Sequence, residues 1–140
     1  MISIENLYRL FLKHPSVCTD SRKLKPGDLF FALKGENFNG NRFAAQALSA
    51  GARYSVIDEE PDMPQDGFLL VPDVLKALQD LAGHHRKQFS IPFIGITGSN
   101  GKTTTKELIH AVLSGTYRTY TTEGNLNNHI GIPLTILNIK

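Results

Sequence analysis

The segment from Phe93 to Glu107, FIGITGSNGKTTTKE, constrains the fold of this chain more than any other segment. An apolar stretch containing Ile94 and Ile96 leads into a glycine-rich run that ends in Gly-Lys-Thr, and helical periodicity follows from Lys102. This order predicts a buried strand, a loop and the start of a helix. Backbone N–H groups of such a loop turn inward around an anion, and the helix N-terminus favours negative charge. The chain should therefore contain an α/β unit that binds phosphate.

The residue types in this loop predict a nucleoside triphosphate and Mg²⁺ as ligands. Lys102 supplies a compact positive charge, and the hydroxyl of Thr103 is the expected Mg²⁺ ligand. The strict pattern G-x-x-x-x-G-K-[ST] places a glycine where this chain has Ile96, and Gly95 and Gly98 flank that position instead. The alternative is a glycine-rich turn between strand and helix that binds nothing.

Composition and charge are those of an ordinary globular protein. Of the 140 residues, 41% are hydrophobic and 20% are charged, with a net charge of +2. Basic residues form no stripe or tail, which argues against a nucleic-acid partner. The single Cys18 gives no disulfide framework or cysteine metal site, and no apolar run approaches the roughly 20 residues of a membrane span. The N-terminus also lacks the layout of a signal peptide, so we expect a cytoplasmic protein without membrane insertion.

Periodicity and turn signals divide the chain into alternating helices and strands. The predicted helices cover residues 4–12, 42–50, 74–89 and 102–114, with a last one opened by Pro133. The predicted strands cover residues 29–33, 54–57, 68–71, the stretch around Ile94 and Ile96, and 117–122. Asp73 is suited to cap the third helix, and Pro92 marks its exit. The domain boundary is therefore expected near Ser90.

Three motifs resemble those of one family in their order along the chain. TGSNGKTTT resembles the phosphate loop of the Mur ligases, the ATP-dependent amide-forming enzymes of peptidoglycan precursor synthesis. TDSRKLKPGDLFFALKGENFNGNRF, from Thr19 to Phe43, is similar to the uridine-nucleotide-binding segment of that family. EGNLNNHIGIPLTIL, from Glu123 to Leu137, is similar to a segment of the member that adds D-alanyl-D-alanine.

The resemblance implies an α/β architecture in two parts. Residues 1–90 would form a small N-terminal domain that binds the UDP-N-acetylmuramoyl group. Residues 91–140 would begin the central P-loop ATPase domain, with its parallel sheet, and leave it incomplete. The expected reaction is ligation of D-alanyl-D-alanine to UDP-N-acetylmuramoyl tripeptide through an acyl phosphate, with ATP and Mg²⁺.

The same resemblance assigns roles to individual residues. Lys102 is the catalytic candidate, because it would bridge the β- and γ-phosphate oxygens, while Thr103, or else Thr104, reaches Mg²⁺. The expected nucleotide-binding residues are Gly98, Ser99, Asn100, Gly101, Lys102, Thr103 and Thr104. Lys106 is expected to point outward as a solvated helix charge.

Eight residues are expected to contact the muramoyl substrate or the space between it and ATP. They are Ser21, Arg22, Glu36, Asn37, Phe38, Asn125, Asn127 and Asn128. For the first five, the alternative is an ordinary turn in which Asp20 caps and Arg22 forms a salt bridge. For the three asparagines, the alternative is that their amides stabilise the turn before Pro133.

Three interpretations remain open at this stage. The chain is the N-terminal part of a D-alanyl-D-alanine-adding ligase, of a sister ligase that adds another amino acid, or a stand-alone nucleotide-binding module. For the first, the partners are the two small-molecule substrates, and we expect a monomer. We also expect this stretch to lack turnover by itself, because family residues that hold Mg²⁺, a carbamylated lysine and the incoming amine would lie elsewhere.

Overall fold

The structure is a computed structural model, and it describes residues 1–61, 63, 65–124 and 126–140. Its α-helices are α1 (Ile4–Lys13), α2 (Ala44–Ser49), α3 (Val74–Arg86), α4 (Lys102–Ser114) and α5 (Gly131–Leu137). Its strands are β1 (Val17–Cys18), β2 (Leu29–Phe31), β3 (Lys34–Gly35), β4 (Phe38–Asn39), β5 (Tyr54–Ile57) and β6 (Phe68–Leu70). Short 3₁₀ turns cover Ser21–Lys23 and Gly40–Phe43.

The first 90 residues are organised around a parallel sheet of four strands in the order β1-β2-β5-β6. Strand β2 lies inside this sheet and is buried along its whole length. This agrees with its unbroken apolar sequence, because an inner parallel strand is covered on both faces. A separate antiparallel hairpin, β3-β4, follows β2. The predicted strands at 29–33, 54–57 and 68–71 are confirmed, each within two residues of its observed end.

Each face of the sheet carries its own hydrophobic cluster. Leu29 and Phe31 point to one face and Phe30 to the other, as alternation along a strand requires. Helices α1 and α3 cover the first face and α2 covers the second. Ser3 and Asp73 cap α1 and α3 through their side-chain oxygens, the latter as the sequence predicts. The result is a three-layer α/β unit whose parallel strands all end at one edge.

The chain beyond residue 90 differs from the prediction. The two strands expected around Ile94 and at residues 117–122 are not formed, because neither segment has a hydrogen-bonded strand partner among the described residues. An extended segment is a strand only when a ladder satisfies its backbone groups. Helix α4 forms as predicted, yet it contains no buried residue.

The last helix, α5, packs against the three-layer α/β unit that the first 90 residues form. Helix α5 packs against α3, and Leu137 joins the hydrophobic cluster beneath the sheet. The buried ring of His85 adds a polar contact, with its Nε2 2.9 Å from the carbonyl oxygen of Ile139. Its Nδ1 lies 3.1 Å from the hydroxyl of Tyr8 on α1. Because a carbonyl oxygen only accepts, Nε2 is the donor in the hydrogen bond to Ile139.

Candidate functional site

The phosphate loop has a backbone that only glycine adopts readily. Gly98 has φ 142° and Gly101 has φ 77°, both in the region that is costly for a side chain. Gly101 also occupies the N-cap position of α4, so the loop turns directly into the helix. The first N–H groups of α4 therefore lie at the end of this loop, where a helix N-terminus favours an anion.

The amides of this loop are available to a ligand. Within the described chain, the N–H groups of residues 98–104 donate to no protein acceptor. The ammonium group of Lys102 folds over the loop and donates to the carbonyl oxygens of Gly98 and, at 3.3 Å, Ser99. A phosphate placed at the amides would offer that ammonium stronger, charged acceptors at short range. The structure thus brings together the predicted residues 98–102.

The first turn of α4 supplies the predicted metal ligand. Thr103 and Thr104 are both exposed, and neither hydroxyl has a protein partner among the described residues. No group of three or more His, Cys, Asp or Glu side chains in the described part of the chain is placed to hold a metal ion. A single hydroxyl fits Mg²⁺, which binds through few protein ligands and completes its shell with phosphate oxygens and water. Thr103 would hold such an ion together with the nucleotide.

The prediction that Lys106 points outward is wrong. Its ammonium group donates to the carbonyl oxygens of Thr122 and, at 2.9 Å, Gly124, and it lies 3.0 Å from the carboxylate of Glu107. Only 15% of its side chain is exposed. The spacing from Lys102 could have indicated this, because residues four apart share one face of a helix.

At Ser21 and Arg22 the structure forms the turn that was the alternative to a binding site. The carboxylate of Asp20 caps the turn, accepting from the backbone N–H of Arg22 at 3.1 Å and from its guanidinium at 2.9 and 2.8 Å. Hydrogen bonds from the side chain and then the backbone of Arg22 lower the pKa of Asp20 to about 2. The hydroxyl of Ser21 keeps its hydrogen-bonding capacity, since it contacts no partner in the described chain.

Glu36, Asn37 and Phe38 lie on the β3-β4 hairpin. Glu36 and Asn37 form its two-residue turn and are exposed. The ring of Phe38 is also exposed and stacks on Phe43, with 5.5 Å between centroids and 12° between planes. The hairpin therefore offers an aromatic surface beside polar side chains, which suits a planar base.

Sequence reasoning missed the carboxylate that supports this hairpin. Asp58, at the end of β5, accepts from the Asn41 amide at 2.8 Å and from the backbone N–H of Val74 at 3.2 Å, and it pairs with Lys34 at 3.0 Å. Burial pushes the pKa of Asp58 upward, but the hydrogen bonds from Asn41 and Lys34 outweigh it, so its pKa is lowered. Its position directly after a buried strand was the available signal.

These loops share one edge of the sheet. Ser21 follows β1, the hairpin follows β2 and Asp58 follows β5, and these three strands are parallel neighbours. Ligands of open α/β sheets bind beyond the carboxyl ends of the strands. The structure therefore brings the predicted substrate-binding residues of two separate loops to the edge where a ligand is expected.

The asparagine segment is only partly a candidate for binding. The side-chain oxygen of Asn128 accepts from the backbone N–H groups of Ile130 at 3.1 Å and Gly131 at 2.8 Å, so it closes the turn that leads into α5 in the manner of a cap. This is the turn-stabilising role that the sequence left open. Asn127 is exposed, and Asn125 lies outside the described residues. A side-chain amide at Asn128 can still present its nitrogen to a ligand, because the cap uses only its oxygen.

Comparison with known families agrees with both halves of this description. Residues 15–86 match the Mur ligase family, catalytic domain, and residues 96–140 match the Mur ligase middle domain. The first match covers more than half of the chain, so the chain belongs to the Mur ligase family.

Several similar proteins and structures share one name. The UDP-N-acetylmuramoyl-tripeptide--D-alanyl-D-alanine ligase of Bacillus subtilis is 50% identical over 86% of this chain and 27% of its own length. That of Escherichia coli is 44% identical over 89% of this chain and 27% of its own length. A crystal structure of MurF from Acinetobacter baumannii has a TM-score of 0.83 at 39% identity, covering 89% of this chain and 27% of that one. MurF from Thermotoga maritima in complex with ADP has a TM-score of 0.81 at 35% identity, covering 91% and 30%. The chain thus spans less than a third of the relatives it matches.

Helices long and apolar enough to cross a membrane are absent from the described residues.

Proposed function

We propose that this chain is the N-terminal part of an ATP-dependent ligase that adds D-alanyl-D-alanine to UDP-N-acetylmuramoyl tripeptide. The B. subtilis and E. coli relatives, at 50% and 44% identity, carry that name. The whole reaction then belongs to a longer protein, of which this chain supplies the phosphate loop and one substrate surface. Such an enzyme works on cytoplasmic precursors, and we propose that location and a monomeric state.

The observation that carries this proposal is the state of the phosphate loop. Two glycines in the left-handed region open it, the N–H groups of residues 98–104 have no protein acceptor in the described chain, and Lys102 lies over it. Each feature favours an anion with several oxygens, and the MurF neighbour with ADP shows that a protein of this fold holds a nucleotide. ATP is therefore the proposed occupant.

In the proposed reaction, a carboxylate oxygen of the muramoyl peptide attacks the γ-phosphorus of ATP, and the bond to the β–γ bridging oxygen breaks. ADP leaves, and the amine of D-alanyl-D-alanine then displaces phosphate from the acyl phosphate. Lys102 would balance the charge that grows on the phosphate oxygens, while the amides of Ser99, Asn100 and Gly101 hold them in place. Mg²⁺, held in part by Thr103, would neutralise further charge on the same oxygens.

The carboxyl edge of the sheet is the proposed surface for the uridine nucleotide. Phe38 offers a ring face for the base, and Glu36, Asn37 and Ser21 offer donors and acceptors for its polar edge and sugar. Arg22 would give up part of its exposed pair with Asp20 to reach the diphosphate, which costs little because water screens exposed ion pairs. Asn127 and Asn128 are proposed to face the space between the two substrates.

The proposed boundary between the two functional parts stays near Ser90. The two family matches end at residue 86 and resume at residue 96, which supports a change of domain in that interval. Residues 1–90 then form the domain for the muramoyl nucleotide, and residues 91–140 begin the ATPase domain.

Calorimetric titration with Mg·ADP tests the proposal. We expect the chain to bind, and Lys102→Ala to weaken binding at least tenfold, because charge-assisted hydrogen bonds contribute roughly 1.5–3 kcal/mol each. The matched control is Lys87→Ala, an exposed lysine on the opposite side of the proposed boundary. Equal affinity in the Lys102 variant and the control would remove Lys102 from the site. The chain alone should release no phosphate in the presence of both substrates.

A further inference from the structure

Two lysines on one face of α4 hold two different segments. Lys102 contacts the carbonyl oxygens of the phosphate loop, and Lys106, four residues later, contacts those of Thr122 and Gly124. The ammonium group of Lys106 donates to these two carbonyls, and the carboxylate of Glu107 lies 3.0 Å from it. A largely buried charge with such partners is part of the fold, because leaving it unpaired is costly.

The carbonyl groups that accept from Lys106 lie shortly before the asparagine segment in the sequence. Thr122 and Gly124 lie four and two residues before the start of the asparagine turn, defined here as residues 126–128. On its other side the turn is fixed by α5, which is docked on α3, and by Gln79, whose amide donates to the carbonyl of His129 at 3.2 Å. The turn is therefore anchored to the first unit at one end and, through Lys106, to the phosphate-loop helix at the other.

We propose that Lys106 is a positioning residue that holds the segment before the asparagine turn against the phosphate-loop helix α4. The inference rests on the proposed function, because it concerns the same nucleotide site. Lys106 itself touches no substrate and acts only through the carbonyls of Thr122 and Gly124. Without it, the segment that precedes the turn loses two hydrogen bonds to α4 and keeps the one between Thr119 and His110, at 2.8 Å. The turn and the loop then no longer hold a common geometry for the nucleotide.

Lys106→Met removes the charge and the donors but keeps an unbranched apolar side chain. We expect it to weaken Mg·ADP binding by roughly threefold to thirtyfold, the range for residues that act on a site through others. Lys106→Arg retains donors for both carbonyls and should restore affinity to within about threefold of the original. Lys87→Met, on the exposed end of α3, is the matched control and should bind normally.

A spectroscopic signature separates positioning from general stabilisation. In ¹⁵N NMR spectra of the unaltered chain, saturation with Mg·ADP should shift the backbone amide of Gly124 and the side-chain amides of Asn127 and Asn128. The same addition to Lys106→Met should shift the phosphate-loop amides but leave those three unchanged.

The outcomes distinguish this inference from the function on which it rests. Absence of Mg·ADP binding by the unaltered chain would overturn the proposed function and this inference with it. Binding by the unaltered chain with undiminished affinity in Lys106→Met would overturn the inference alone. If Lys106→Met does not fold, the spectra of the unaltered chain decide: shifts at Gly124 and at the two asparagines support positioning, and their absence refutes it.

Discussion

The first 90 residues and the last 50 use similar local patterns with different results. Both contain apolar segments with strand character and amphipathic helices. In the first part the segments pair into a parallel sheet, and α1, α2 and α3 bury a stripe of residues against it. In the second part the corresponding segments stay unpaired among the described residues, and α4 buries nothing.

The difference shows that a segment with a strand-like sequence forms a strand only where a sheet supplies a partner for its backbone groups. Ile94 is 61% exposed and Val112 is 77% exposed, although both occupy positions that the sequence pattern reserves for a core. The phosphate loop between them still takes its shape, because that shape depends on glycine dihedral angles and the start of one helix. In this chain the phosphate loop thus takes its shape although the segments that flank it form no hydrophobic core around it.

The largest effect is expected for a substitution in the hydrophobic core of the first part. Phe31→Ala should lower the free energy of unfolding by about 3–5 kcal/mol, because it empties a fully buried position between the sheet and the helices. Urea denaturation followed by circular dichroism measures this. Phe38→Ala, at an exposed position, is the control and should cost less than about 1.5 kcal/mol. Similar losses in both variants would contradict the contrast between buried and exposed positions.

The next prediction tests whether the hydrophobic core of the first part includes a residue from the second. Leu137 belongs by sequence to the second part but is buried in the core of the first. Leu137→Ala should therefore lower the free energy of unfolding by about 2–4 kcal/mol in the main transition. Ile132→Ala, on the exposed side of the same helix, should cost under about 1 kcal/mol. An unchanged main transition in Leu137→Ala would mean that α5 does not contribute to the first core.

The third effect concerns pH and is specific to the first part. Asp58→Asn should cost about 2 kcal/mol at pH 7, since it removes a charged acceptor from Lys34 and Asn41. The folded-state pKa of Asp58 lies below the reference value of 3.8, so the folded protein takes up its proton later than the unfolded chain as pH falls.

This stabilisation is complete above the unfolded pKa and is lost as pH falls through the folded one. In thermal melts from pH 7 to pH 2, the melting temperatures of the unaltered chain and of Asp58→Asn should therefore converge below about pH 4. Asp66→Asn, at an exposed position, serves as the control. A gap between Asp58→Asn and the unaltered chain that stays constant down to pH 2 would be inconsistent with the lowered pKa.

The smallest effect is expected on the exposed face of α4. Val112→Ser should change the free energy of unfolding by less than about 0.5 kcal/mol, because the side chain contacts water already. A loss above about 1 kcal/mol, measured in the same urea experiment, would show that this face is covered in solution.

The sequence predicted α1, α2 and α3 and the strands β2, β5 and β6 of the first part, because residues of these elements are buried in its hydrophobic core or packed against it. Leu29 to Phe31 and the capped helix after Asp73 are examples. It missed the two-residue strands β1, β3 and β4. It failed at residues 117–122, where β-branched and aromatic residues predict a strand but the pairing partner decides the outcome.

Within the site, the phosphate loop was predictable because glycines, lysine and threonine fix its chemistry locally. For two other groups, the sequence indicates the position but not the partners. Lys106 and Asp58 act through contacts 16 or more residues away, to Gly124 and to Lys34, and their own neighbours in sequence do not reveal those contacts. Asn128 was ambiguous since the same amide serves a helix cap or a ligand.

A crystal structure of the chain grown with Mg²⁺ and a non-hydrolysable ATP analogue tests the central claim most directly. If the phosphate loop binds ATP, phosphate oxygens should lie within hydrogen-bonding distance of the amides of Ser99 to Lys102. The ammonium group of Lys102 should have moved from the Gly98 carbonyl to the β- and γ-phosphates. Phosphates located elsewhere, with Lys102 still on the loop carbonyls, would contradict this binding site.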